Sequence, residues 1–156
     1  MDVKYGFDAA TTLIARKLVM KVQPYLYFDG RCEEALNFYE KALGAKVNAL
    51  MRFKDNPDPN MCGPAGSSEK VMHANFQVGD TQLMASDGNC AGKSKFEGIS
   101  LTLGASSSEE AERLFAALAD GGQVQMPMNE TFFAHRFGMG ADKFGVSWMV
   151  IAEKPH

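Results

Sequence analysis

One unit is written twice in this chain, and that duplication constrains the fold more than any other feature. PYLYFDGRCEEALNFYEKALGAKV runs from Pro24 to Val47, and SLTLGASSSEEAERLFAALADGGQV runs from Ser100 to Val124. Each begins with a short alternating segment, passes through a polar turn and continues as an amphipathic helix opened by Glu-Glu-Ala. In the first helix Ala35, Leu36, Phe38, Tyr39, Ala42 and Leu43 fall on one stripe; in the second Ala111, Leu114, Phe115 and Leu118 do. Gly44 closes the first helix, and Gly121 and Gly122 close the second. One of Ser106, Ser107 and Ser108 is expected to cap the second helix.

Three strands are predicted after each helix. In the first half they are Lys46–Lys54, Val71–Val78 and Gln82–Asp87, with a loop from Asn56 to Ser68 and a hairpin at Gly79-Asp80. In the second half they are Gln123–Met126, Thr131–Met139 and Val146–Glu153. The fold class is therefore α+β, two βαβββ modules. Residues 20–87 and 97–153 form the modules of a single domain, 20–156, joined by a linker, 88–96. Residues 1–19 stand apart as an N-terminal extension, disordered or no native part of the domain. Asp2, Asp8, Arg16 and Lys17 interrupt its apolar stretches, and it lacks the pattern of a secretory signal.

Composition narrows the function. The chain is 46% hydrophobic and 22% charged, enough to build a core. Its net charge is −3 without a basic block, so no nucleic-acid partner is expected. No apolar run is long enough for a membrane helix, so no membrane partner is expected either. Cys32, Cys62 and Cys90 fit neither a metal knuckle nor a disulfide framework. They read as reduced thiols of a cytoplasmic protein; the alternative is a reactive thiol at Cys32, with Arg31 beside it.

Alternation assigns faces. Pro24, Leu26 and Phe28 should cover the first helix, leaving Gln23, Tyr25 and Tyr27 on the other side. Ile99, Leu101 and Leu103 should cover the second, leaving Gly98, Ser100 and Thr102. His73, Asn75 and Gln77 share the face away from the helix; Met84 and Met149 lie on the corresponding faces of later strands. Two sheets curved around a shared cup, with one helix covering each, would form a small-molecule pocket. Its expected ligand contacts are Gln23, Tyr25, Tyr27, His73, Asn75, Met84, Thr102, Phe133 and Met149. His73 is the best catalytic candidate, as the mid-strand imidazole.

The βαβββ pair resembles the vicinal oxygen chelate superfamily, which holds glyoxalase I, bleomycin-resistance proteins and extradiol dioxygenases. Within it the sequence is similar to the PhnB-like branch. The matching stretches are PYLYFDGRCEEALNFYEKALGA (24–45), VMHANFQVGDTQLMASD (71–87) and TFFAHRFGMGADKFGVSWMVIAE (131–153). The resemblance implies a metal ion in the cup of metal-dependent members, held from the first and last strands of each module. Those places fall here on Gln23, Met84, Gly98 and Met149, a set poor in donors for a hard or borderline cation.

No metal and no cofactor are therefore expected. The leading reading is metal-free binding of a small aromatic or amphipathic molecule by a homodimer. The alternative is a metal-dependent lyase, isomerase or dioxygenase with a relocated site at His73, Glu130 and His135. The branch is often labelled methyltransferase-like, but the glycine-rich strand-to-helix turn of a nucleotide-type methyl donor is missing. Gly138 and Gly140 occur late and lead into a strand.

Overall fold

A computed structural model describes residues 20–60, 63–90 and 93–155. The N-terminal extension, Cys62, part of the 88–96 linker and His156 lie outside the described residues. The elements follow in chain order: β1 (Tyr25–Tyr27), α1 (Cys32–Leu43), β2 (Lys46–Arg52), β3 (Val71–Val78), β4 (Thr81–Ser86), β5 (Leu101–Gly104), α2 (Ser108–Ala119), β6 (Gln123–Asn129), β7 (Ala134–Ala141) and β8 (Ser147–Glu153). The strands form two four-stranded sheets, ordered β1-β4-β3-β2 and β5-β8-β7-β6. In each sheet the first strand runs parallel to the last, and the other pairs are antiparallel. The duplication read from sequence is thus a duplication of topology.

The helices end and begin for local reasons. Gly44 takes the left-handed conformation, φ 66°, and its N–H reaches back to the Glu40 carbonyl. A side chain there would meet its own carbonyl, so glycine stops α1 at no steric cost. Ser107 caps α2: its hydroxyl accepts the Glu110 N–H at 3.1 Å. Glu110 reciprocates by accepting the Ser106 N–H and hydroxyl, each at 2.6 Å.

Strand parity holds in detail. Leu26, Phe28, Ala74, Phe76, Leu83 and Ala85 are buried on the helix side of the first sheet, and Trp148, Val150 and Ala152 on that of the second. Ile99 departs from the expectation: it is 59% exposed. Gly98 has φ 73°, so extended alternation begins only after it, and the first paired rung is Leu101 with Trp148. Strand limits shift too. β2 stops at Arg52 because Phe53–Asp55 turn as a 3₁₀ helix, and β6 runs on to Asn129.

Gly138 and Gly140 receive a structural explanation. Both lie on the helix side of β7. An added Cβ would stand 2.5 Å from Met128 Sδ and 3.2 Å from the Phe115 ring at Gly138, and 2.8 Å from the Gln123 carbonyl oxygen at Gly140. Glycine leaves room there for Met128 and Phe115 at the first position and for the β6 backbone at the second.

The inward faces of both sheets and the stripes of both helices belong to one hydrophobic cluster. α1 also meets α2 directly. Both outward faces therefore point away from a common core, and the sheets are open toward their surroundings rather than closed on one another within the chain. Asp142, 3% exposed, fastens the modules together. Its Oδ2 accepts the Tyr39 hydroxyl of α1 at 2.6 Å and the Trp148 Nε1–H at 2.9 Å. Its Oδ1 accepts the Phe144 and Val146 N–H groups. Asp87, equally buried, accepts the N–H groups of Gly30, Cys32 and Val71 at 2.7–2.8 Å and so fixes the β1–α1 turn to the sheet.

Candidate functional site

The outward face of the first sheet gathers most of the polar and aromatic residues expected there. Tyr25 pairs with Met84 across β1 and β4, and Met84 pairs with Asn75 across β4 and β3. Directly opposed residues share a face, so these three form one row, continued by Ala49 on β2. His73 forms the next row with Met51. The Tyr25 hydroxyl lies 3.0 Å from His73 Nδ1, which places the ring proton on Nε2 when the phenol donates. Tyr27 stacks on Tyr25 with ring centroids 4.9 Å apart, and the His73 ring lies 5.6 Å from that of Tyr25. Burial raises the Tyr25 phenol above its ordinary value, so it stays a neutral donor at physiological pH. Asn75 Oδ1 is shielded from water and has no hydrogen-bond partner, an uncompensated acceptor in the middle of the face.

The corresponding row of the second sheet is chemically different. Thr102, Met149, Met139 and Met126 follow one another across β5, β8, β7 and β6. Thr102 and Met149 thus occupy the places that Tyr25 and Met84 hold in the first module. Phe133 stands beside this face, its ring 5.2 Å from that of Phe137 in an edge-on contact. Thioethers make this face apolar and adaptable, whereas its counterpart hydrogen-bonds.

The metal positions implied by the resemblance can be tested against this register. Gln23 donates from Nε2 to Gln82 at 3.2 Å, one step before the Tyr25–Met84 rung. The matching step in the second sheet is Ser100 with Ser147, whose hydroxyls are 2.8 Å apart. Ser100 rather than Gly98 is therefore the counterpart of Gln23. Amide, hydroxyl and thioether groups do not make a donor set for a hard or borderline cation, so the implied ion does not fit these residues. Among the described residues no three His, Cys, Asp or Glu side chains gather closely enough to hold an ion; His73, Glu130 and His135 therefore do not converge within the chain. The Glu130 carboxylate is held by Lys154 Nζ at 2.8 Å, which lowers its pKa.

Other candidates resolve into structural roles. Cys32 is fully buried, and burial pushes its thiol far up, the opposite of what a reactive thiol needs. Arg31 is engaged by Glu34 at 3.0 Å and lies over the Phe144 ring. Arg136 pairs with Glu112 at 2.9 Å. Lys143 lies within 3.9 Å of Glu34 and over the Phe38 ring. Sequence reasoning did not single out Asp142 and Asp87; each follows a strand and reads as an ordinary turn residue.

A βαβββ pair with parallel outer strands defines the class: a glyoxalase-fold protein of two modules. Comparison with known proteins is in accord. A family model described as 3-demethylubiquinone-9 3-methyltransferase matches residues 20–151. Protein YjdN of Escherichia coli K12 is 36% identical over 138 residues, covering 84% of this chain and 94% of YjdN. The crystal structure of PA1353 from Pseudomonas aeruginosa superposes with a TM-score of 0.77 at 45% identity, over 88% of this chain and 100% of that one. A Bacillus cereus structure named as a PhnB protein and putative 3-demethylubiquinone-9 3-methyltransferase gives 0.71 at 29% identity, over 85% and 99%. A glyoxylase/bleomycin resistance protein/dioxygenase domain from Frankia shares the fold, with a TM-score of 0.58 at 14% identity, over 87% and 97%. The chain belongs to the family that the matching family model describes, and its fold is the two-module glyoxalase fold.

Proposed function

We propose that this protein binds a small aromatic or amphipathic molecule on the outward face of its first sheet, without a metal ion. The carrying observation is the Tyr25–His73 hydrogen bond set in a stack of rings beside the unpartnered Asn75 acceptor. Aromatic rings supply contact area, and the imidazole Nε2–H and the amide fix orientation. Gln23, Tyr27 and Met84 complete this half. His73 acts as a hydrogen-bonding contact in this reading, with no proton transfer assigned to it.

The working form is a homodimer. Tyr27, Met51, Met126 and Phe133 are all exposed beside or on the outward faces, and β2 and β6 are edge strands with few buried residues. Such surfaces call for cover. A second copy covers both faces at once if its Thr102–Met149 face meets the Tyr25–His73 face of the first. That arrangement puts Thr102, Phe133 and Met149 of the partner subunit over the ligand. Among the described residues no helix is long and apolar enough to cross a membrane. With Cys32 buried and unpaired, a reducing, cytoplasmic location fits best.

The test is a titration with 2-naphthol, followed by NMR of the methionine methyl and histidine ring signals. The reading expects saturable shifts at Met84 and His73, weakened about fivefold by His73→Ala, the scale of one ordinary hydrogen bond. Absence of saturable shifts at these residues would overturn it.

A further inference from the structure

A crevice of about 220 Å³ lies between the modules, away from the rings of the Tyr25–His73 face. Neither repeat builds it alone. Val78 and Leu83 form one wall from the first sheet, and Leu101, Leu103 and Trp148 form the other from the second. Thr81 and Thr102 also line it, and both are exposed, so they mark its mouth. The crevice explains an irregularity of burial. Leu101 and Leu103 point inward by register, yet they stay only half-buried while the neighbouring Val150 is fully buried. β5 is an edge strand of its sheet, and on that side its leucines border open space instead of protein. Trp148 keeps the same wall firm, since its indole is 4% exposed and anchored through Nε1 to Asp142.

An apolar space beside fixed walls loses dispersion contacts while nothing fills it. A cavity of about 150 Å³ is enough for benzene, so this one takes a single ring or a chain of roughly six carbons. We propose that the crevice is a second binding site, for a small molecule with an apolar body and one hydrogen-bonding head. The body lies between Leu83 of the first sheet and Leu103 and Trp148 of the second, and the head meets Thr81. Of the residues assigned to the ligand of the Tyr25–His73 face only Thr102 also lines the crevice, and a test read at Trp148 and Thr81 separates the failure of one proposal from that of the other.

Trp148 is the only tryptophan in the chain, and it serves as the reporter. The probe is 6-bromo-1-hexanol, whose bromine quenches indole fluorescence on contact. Saturable quenching is expected, competed away by 1-hexanol. Leu103→Phe fills the space and should weaken the probe at least tenfold. Thr81→Val, at an exposed position, should weaken it severalfold while the melting temperature stays within a degree or two. Quenching that rises linearly with probe, resists 1-hexanol or is unchanged by Leu103→Phe would overturn the proposal. If Leu103→Phe fails to fold, the 1-hexanol competition and Thr81→Val decide the matter alone.

Discussion

Removing one oxygen at Tyr39 should loosen the joint between the two modules. The Tyr39 ring is fully buried on α1, and its hydroxyl donates at 2.6 Å to Asp142, which lies in the turn before β8. Tyr39→Phe keeps the ring and its contacts with Phe76 and Trp148. It deletes one of the four donors that hold a buried carboxylate. A hydrogen bond to a charged group contributes about 1.5–3 kcal/mol. For a domain of this size each kcal/mol moves the midpoint by roughly 2–4 °C, so the variant should melt about 3–12 °C lower by circular dichroism. Asp142→Ala should cost more, because it strands all four donors in the core.

The pH dependence adds a sign. Burial, reinforced by the Asp142 charge, raises the Tyr39 phenol far above its ordinary value. A raised folded pKa contributes stability that is complete below the unfolded value near 10 and is lost as pH climbs beyond it. Wild type should therefore lose stability faster than Tyr39→Phe above about pH 10. A Tyr39→Phe protein melting within 1 °C of wild type, with the same alkaline slope, would refute the account of Asp142 as the joint.

Three further outcomes follow from other parts of the structure. Asp87→Ala strands the N–H groups of Gly30, Cys32 and Val71; urea denaturation should show a loss of about 3 kcal/mol or more. Ser107→Ala removes the cap of α2 and should lower stability by about 1 kcal/mol in the same assay. Alkylation at pH 8 followed by peptide mass mapping should leave Cys32 unmodified in the folded protein, since burial holds its thiol protonated, and label it on unfolding.

The sequence made the repeating parts legible. Helix stripes, glycine stops and strand faces are local patterns, and each module shows them twice. Tyr25, His73, Asn75 and Met84 could be placed on one face because parity needs only a strand and a starting residue. Register was harder wherever alternation was broken. The stretch from Glu97 to Ser100 contains a left-handed glycine; alternation counted through it sets Gly98 opposite Gln23, whereas the Ser100–Ser147 hydroxyl contact sets Ser100 there. The relation between modules left no local trace at all. Nothing in the neighbourhood of Asp142 says that its carboxylate receives a hydroxyl from a helix 103 residues away, or that both helices share one core.

Metal-free recognition on the Tyr25–His73 face is tested most directly by one paired measurement: elemental analysis of the purified protein, and 2-naphthol titration before and after extensive dialysis against EDTA. The account predicts substoichiometric zinc, iron and manganese, and the same saturable shifts at Met84 and His73 in both samples. A stoichiometric metal, with 2-naphthol binding lost on chelation and restored by that metal, would contradict it.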